Sequence, residues 1–136
     1  MIEDGLFSLM KANIPDFNGT TAYQMYYLAT FDPVQPPYCV FRRYKREAEP
    51  DLSSTYGLYT SAYVMEIYHT DSWELLDVQG RIRGLLEGLP LTTVGGIFVQ
   101  GLVVTDDYHI TPPLIQETRV RAYQGILDFE IFHNTV

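Results

Sequence analysis

Positive charge is scarce in this chain. Of 136 residues, nine are Lys or Arg against seventeen Asp or Glu, a formal net charge of −8 at pH 7. That balance argues against general affinity for nucleic acid, which needs Lys and Arg to displace phosphate counterions. It is compatible with a surface that must not stick to DNA. A single cysteine, Cys39, excludes an internal disulfide. It lies in an apolar, strand-like run and reads as a small core hydrophobe, not a nucleophile. No apolar run approaches the roughly 20 residues of a membrane-spanning helix, so no membrane partner is expected. The opening "MIEDGLFSLMKAN" has neither the basic n-region nor the continuous apolar h-region of a secretory signal. The expected location is therefore the cytoplasm, or something assembled there.

Catalytic signatures are missing too. There is no P-loop, no GxGxxG, no GxSxG and no HExxH. "VGGIFVQG" is glycine-rich but lacks the Lys and Ser/Thr that hold phosphate and magnesium, and a bulged strand suits it better. His69 precedes Asp71 by two, a conceivable metal pair, but Asp71 also fits as a helix cap. Asp106, Asp107 and His109 share the stretch "TDDYHI", with no further ligand evident, and a solvated turn is the simpler reading. The expectation is no enzyme, no cofactor and no resident metal.

What the chain does have is a globular composition, with 46% hydrophobic and 19% charged residues, and enough length for a real core in one domain over 1–136. Eleven Tyr and seven Phe are many for that length. Tyrosine is enriched at interfaces, which hints at surface buried by assembly.

The first helix is expected over residues 2–13, where Ile2, Leu6, Leu9 and Met10 share a face and Glu3 and Asp4 suit the N-terminal dipole. Gly5 counts against that helix by about 1 kcal/mol. "NIPDFNGTT" is turn chemistry, "AYQMYYLA" at 22–29 suits a strand, and the three prolines of "TFDPVQPP" make a connection. "YCVFRRYKRE", 38–47, is a second strand whose two period-2 faces both begin apolar and end charged. "LYTSAYVMEIYH", 58–69, is a third strand that would span ~40 Å. Its first half and the charged end of the second are expected to form a hairpin arm that leaves the body.

The clearest helix is "TDSWELLDVQGRIRGLLEG". Asp71 caps it with Glu74 three residues on, a capping-box pattern. Leu75, Val78, Ile82, Leu85 and Leu86 form its apolar stripe, and Gly88 and Pro90 end it. Trp73 is expected to pack over its entrance. Residues 92–105 read as a strand with glycine bulges, "DDYHITPPLIQE" as a long connection, and 118–133 as the last strand. The order α-β-β-β-α-β-β gives an α+β domain: an antiparallel sheet with two helices packed on one face and an extended β-hairpin arm.

The unusual feature is charge layout. Four of the nine basic residues, Arg42, Arg43, Lys45 and Arg46, fall within five positions, and Arg119 and Arg121 share a face of the last strand. Acid stands elsewhere, in "IEDG", in "EAEPD" and at Asp106 and Asp107. One reading is that charge on strand ends blocks edge-to-edge aggregation. The sharper reading is that basic strand ends face acidic loops on a neighbouring copy or another protein.

Several stretches carry a resemblance to a known family. These are "EDGLFSLMKA", "PPYCVFRR", "YVMEIYHTDSWELLDVQGRIRGLLEG" and "DDYH…ETRVRAYQGILDFEIFH". Their pattern, over nearly the whole chain, resembles the tail-completion, or tail-terminator, proteins of long-tailed bacteriophages, which join tail to head. The chain departs from that pattern at His109, where the family often has Asp, and in the "TPP" of the 108–118 connection. The resemblance implies a virion protein that forms a hexameric ring at the head-proximal end of the tail. Its implied partners are the tail tube protein and the head connector or stopper, with DNA passing through the lumen without specific binding. The alternatives are a head-completion, neck or minor tail protein of the same architecture, or a DNA-contacting module.

Overall fold

The computed structural model describes residues 1–14, 24–27, 38–48, 58–110 and 123–134. Its elements are α1 (Ile2–Asn13), β1 (Gln24–Tyr27), β2 (Tyr38–Ala48), β3 (Tyr59–His69), α2 (Ser72–Glu87), β4 (Thr93–Val94), β5 (Ile97–Ile110) and β6 (Tyr123–His133). They form one sheet in the order β1-β2-β3-β6-β5-β4. The α+β architecture expected from the sequence stands. Both helices place their apolar stripes on one face of the sheet. Ile2, Leu6 and Met10 of α1, and Leu75, Val78, Ile82 and Leu86 of α2, join Cys39, Phe41, Tyr63, Met65, Ile67, Leu127, Phe129 and Ile131 in a single core.

Four details differ from the sequence reading. The pair β1–β2 is parallel, from Gln24↔Tyr38 to Tyr27↔Phe41, while the other pairs are antiparallel. The 92–105 strand is two: β4 and β5 are joined by Gly95 and Gly96, whose φ values of 57° and 80° meet the demand of a two-residue hairpin for left-handed residues. The third difference concerns "DDYHI", which is strand and not connection, so β5 runs fourteen residues and Asp106 and Asp107 sit on a strand, not in a loop. Finally, the long β2–β3 hairpin pairs out to Ala48↔Tyr59, but it does not leave the body there, because β6 pairs with the same end of β3 at Tyr59↔His133. Its tip, residues 49–57, lies outside the described residues, as do 111–122 and with them the start of the expected last strand.

Local chemistry explains α2. Asp71 Oδ1 accepts from the backbone N–H of Trp73 (2.9 Å) and of Glu74 (3.3 Å), as an N-cap should. Glu74 does not close the capping box. The Asp71 N–H instead donates to His69 Nδ1 (2.9 Å), and His69 Nε2 lies 2.9 Å from Glu74 Oε2. A histidine at the end of β3 thus stands between cap and glutamate and ties the helix start to the sheet. Leu85 is half-buried at the rim of the stripe, while Ile82 and Leu86 are fully buried. Trp73 does not cover the helix entrance: it is 79% exposed.

Gln79 brings α2 down onto the sheet. Its side-chain amide donates to Asp107 Oδ1 (2.6 Å), Ile126 O (3.3 Å) and Tyr108 O (3.4 Å). Gly125 makes this approach possible, since a Cβ there would collide with Gln79 Oε1. Gly5, unfavourable in an isolated helix, is accounted for the same way: a Cβ would strike the backbone of Gly95.

These contacts set expected outcomes for denaturant unfolding. Ile82→Ala should cost about 2–5 kcal/mol as a buried truncation. Asp71→Ala should cost about 0.5–2 kcal/mol as a lost cap. Leu85→Ala should cost clearly less than Ile82→Ala, and equal losses at the two positions would contradict this account of the stripe.

Candidate functional site

The charged residues singled out above gather on two strands whose outer sides are open. β1 pairs only with Tyr38–Phe41, so the outer edge of β2 from Arg42 to Ala48 has no strand partner among the described residues. At the other side of the sheet β4 pairs only with Ile97 and Phe98, so β5 from Gly101 to Ile110 is likewise open among the described residues.

The basic edge is built by a bulge. The register of β2 against β3 shifts between Arg43 and Lys45, leaving Tyr44 as the extra residue. Simple alternation would put Arg42 and Arg46 on one face. The bulge instead sends Arg43 and Arg46 to the helix-covered face, opposite Tyr63 and Ser61, and Arg42 and Lys45 to the open face. Arg43 Nη1 reaches Glu3 Oε1 of α1 at 3.2 Å. Glu3 is buried, so this pair clamps the helix to the sheet and its loss would strand a carboxylate. Arg46 lies over the Tyr59 ring, 5.2 Å from its centroid. Arg43, Arg46, Glu3 and His133 line a cavity of about 230 Å³. On the open face Lys45 pairs with Glu47 at 3.0 Å, and Arg42 approaches Glu66 at 3.8 Å. Exposed pairs of this kind are screened by water and add little, so they leave the edge cationic without locking it.

The acidic edge is re-phased in the same way, by register shifts at Val99/Gly101 and Val104/Asp106. Asp107 points to the helix side, where Arg83 Nη1 donates to its Oδ2 (2.7 Å) and Gln79 to its Oδ1. It is held within the subunit. Asp106 lies on the open face directly opposite Asp128. Burial, then the charge of Asp106, raises the Asp128 carboxyl above its ordinary pKa; Glu66 adds to the rise and Arg42 opposes it. The same face carries Tyr68, stacked on Tyr38 with centroids 4.6 Å apart and accepting from Gln124 Nε2 at 2.9 Å.

Sequence reasoning missed an apolar stripe along β5. Phe98, Val103, Tyr108 and Ile110 all fall on the open face, and each is more than a third exposed. The bulges hid it, because in a plain period-2 reading these residues divide between faces. Trp73 and Leu76, on the outer side of α2, are also exposed. Their signal was present, since neither belongs to the apolar stripe of that helix. Arg119 and Arg121 lie outside the described residues. His109 stands on β5 opposite Gly125, and among the described residues no group of three or more His, Cys, Asp or Glu could hold a metal ion. Ser61 Oγ and His133 Nε2 lie 2.8 Å apart, but both are buried in the sheet, where the hydroxyl cannot meet a substrate. Cys39 is fully buried, and burial raises its thiol pKa far above the ordinary value, as suits a core residue.

The fold has a known counterpart. A chain from the virion of a native gene transfer agent particle superposes with a TM-score of 0.62 at 10% identity, over 98% of this chain and 98% of that one. No family model matches the sequence, and no curated protein does.

The Asp106–Asp128 opposition has a pH signature. A carboxyl raised above its unfolded value makes the folded protein bind more protons between the two values. Stability therefore falls as pH rises through that window and stays lower above it. Asp128→Asn removes this cost. Its thermal midpoint should exceed that of the wild type at pH 7, and the gain should vanish at pH values below the ordinary carboxylate range. A midpoint lowered at pH 7 would mean that Asp128 is a net stabilising partner of Arg42.

Proposed function

We propose that this chain is a structural virion protein, a ring-forming tail terminator. In this reading copies of it cap the head-proximal end of a tail tube, stop tube growth and offer a surface to the head connector or stopper. The observation that carries the reading is the fold likeness to a gene transfer agent virion chain along almost the whole of both molecules. The sequence pattern from "EDGLFSLMKA" to "DFEIFH" points the same way. Physical features support it. Two open strand edges, an exposed tryptophan and a stripe of exposed apolar residues are surface that a solitary protein gains nothing by displaying. A closed ring needs two different, complementary surfaces on each copy, and the two edges differ in charge and position. The net charge of −8 suits a lumen through which DNA must slide.

The test is assembly of tails without this protein. Under this reading they overgrow the normal length and fail to join heads, and adding the purified protein back restores both. Tails of normal length that still fail to join heads would instead favour a neck or head-completion role. Normal length with normal joining would remove the protein from the tail altogether.

The DNA-contacting alternative makes a separate demand: duplex affinity falling with salt at a log–log slope of about −0.9 per phosphate neutralised. The expected result at physiological salt is little binding. Tight, salt-sensitive binding lost on reversing Lys45 and Arg46 would promote that alternative.

A further inference from the structure

The two open edges are complementary to each other. From them we infer that the outer edge of β2 in one copy pairs with the outer edge of β5 in the next copy, so that the sheet continues from subunit to subunit. This rests on the ring reading above and specifies the surface by which the ring closes.

Strand direction allows it. β2 runs antiparallel to β3, β3 to β6 and β6 to β5, so β2 and β5 run opposite ways in one subunit. Rotation about an axis along the strands preserves direction. The β2 edge of one copy therefore meets the β5 edge of its neighbour antiparallel, the better hydrogen-bonding arrangement. Length allows it as well. At ~3.3 Å per residue, the open part of β2 offers ~23 Å and that of β5 ~33 Å. Among the described residues, each edge presents backbone groups without a strand partner, which a strand can satisfy.

Charge selects the occupant. The β2 edge carries Arg42, Arg43, Lys45 and Arg46; Glu66, Glu3 and Glu47 pair with the first three and Arg46 lies over Tyr59, so the balance stays positive. The β5 edge carries Asp106, backed by Asp128 on the same open face. Two β2 edges would bring arginines together. Two β5 edges would add acid to an Asp pair that already repels itself. Only unlike edges attract, and joining unlike edges gives the head-to-tail contact from which rings are made. The exposed stripe Phe98, Val103, Tyr108 and Ile110 lies beside the β5 edge, and Tyr44, 55% exposed at the β2 bulge, belongs to the opposite edge. Pairing would set side chains of the two edges beside one another as cross-strand neighbours, while the open face itself stays uncovered.

Amide hydrogen exchange on the wild-type protein, free and assembled into rings at high concentration or on tube ends, reads the pairing directly. Amides facing outward within 42–48, and in the part of 101–110 that lies opposite them, should slow by about tenfold or more in the ring. Rings whose edge amides exchange as in the free protein overturn the inference and leave the ring reading intact. Failure to form rings under either condition overturns the ring reading, and this inference with it. Protection of one edge only, and only with tube protein present, would assign that edge to the tube.

A charge swap tests the same contact independently. Lys45→Glu with Arg46→Glu makes both edges acidic, and Asp106→Lys with Asp128→Asn makes both basic. Arg42, Arg43 and Asp107 are left in place because they hold Glu66, Glu3 and α2 within the subunit. Neither variant should assemble alone, although circular dichroism should show both folded. An equimolar mixture should form rings of alternating variants, even in number. Rings from either variant alone, or a folded mixture that never assembles, overturn the pairing. If a variant does not fold, the exchange measurement on the wild type decides.

Discussion

The pairing of β3 with β6 is the constraint on which the rest of the molecule depends. It runs unbroken from Tyr59↔His133 to His69↔Tyr123, without a bulge. Both strands show the same alternation of burial, with their final nine residues keeping every second side chain in the core. Tyr63 and Phe129 stack at its centre, 5.4 Å between centroids, and Ser61 meets His133 near one end. β2 is hung on the outside of β3 and β5 on the outside of β6, while α2 lies across both. The centre can be regular because the irregular work is done at its flanks: all three described register shifts fall in β2–β3 or β5–β6. A slip of one residue in β3–β6 would turn the whole core face to solvent. A bulge in a flanking strand re-aims a few side chains only.

That division explains what could be read from the residues. α2 was legible because each signal agreed: cap, stripe and terminator lie where the helix begins, packs and stops. The central strands were legible because their alternation is intact. The flanking strands were not, because parity fails at each bulge. The expected grouping of Arg42 with Arg46 is replaced by Arg42 with Lys45 and Arg43 with Arg46. Asp106 and Asp107, read as one acidic loop, face opposite sides of a strand, one toward Asp128 and the other toward Arg83. Glu74 kept its place at the third helical position, but His69, two residues before the cap, took the bond that the capping-box pattern would assign it.

The glycines follow the same logic. Gly5 and Gly125 are poor choices by propensity alone. Both mark a place where two backbones, or a backbone and a buried amide, come closer than a Cβ permits. Gln79 then spans α2, β5 and β6 with one side-chain nitrogen, while its buried Oε1, against Gly125, has no hydrogen-bond partner among the described residues. Asp107 belongs to that internal framework more than to the surface. Of the acidic pair marked from sequence, Asp106 is the one left to meet another molecule.

Two readings of the basic run were open at the outset: a guard against edge aggregation, or one half of an interface. Edge physics makes them the same device. A strand edge lined with arginine rejects any second edge of its own kind, and an edge lined with aspartate does likewise. Each therefore suppresses symmetric pairing, which would end in dimers. What remains favourable is the unlike pairing, the head-to-tail kind of contact whose repetition gives a ring where the rotation closes and an open filament where it does not. The gain per contact at exposed charges is small, of order 1 kcal/mol or less in water, so charge alone would not hold copies together. The backbone hydrogen bonds and the cross-strand side-chain contacts would have to supply the rest. Under the proposed pairing, such a weak and selective edge would keep free subunits apart, and many copies gathered on one template would make the same contacts collectively stable.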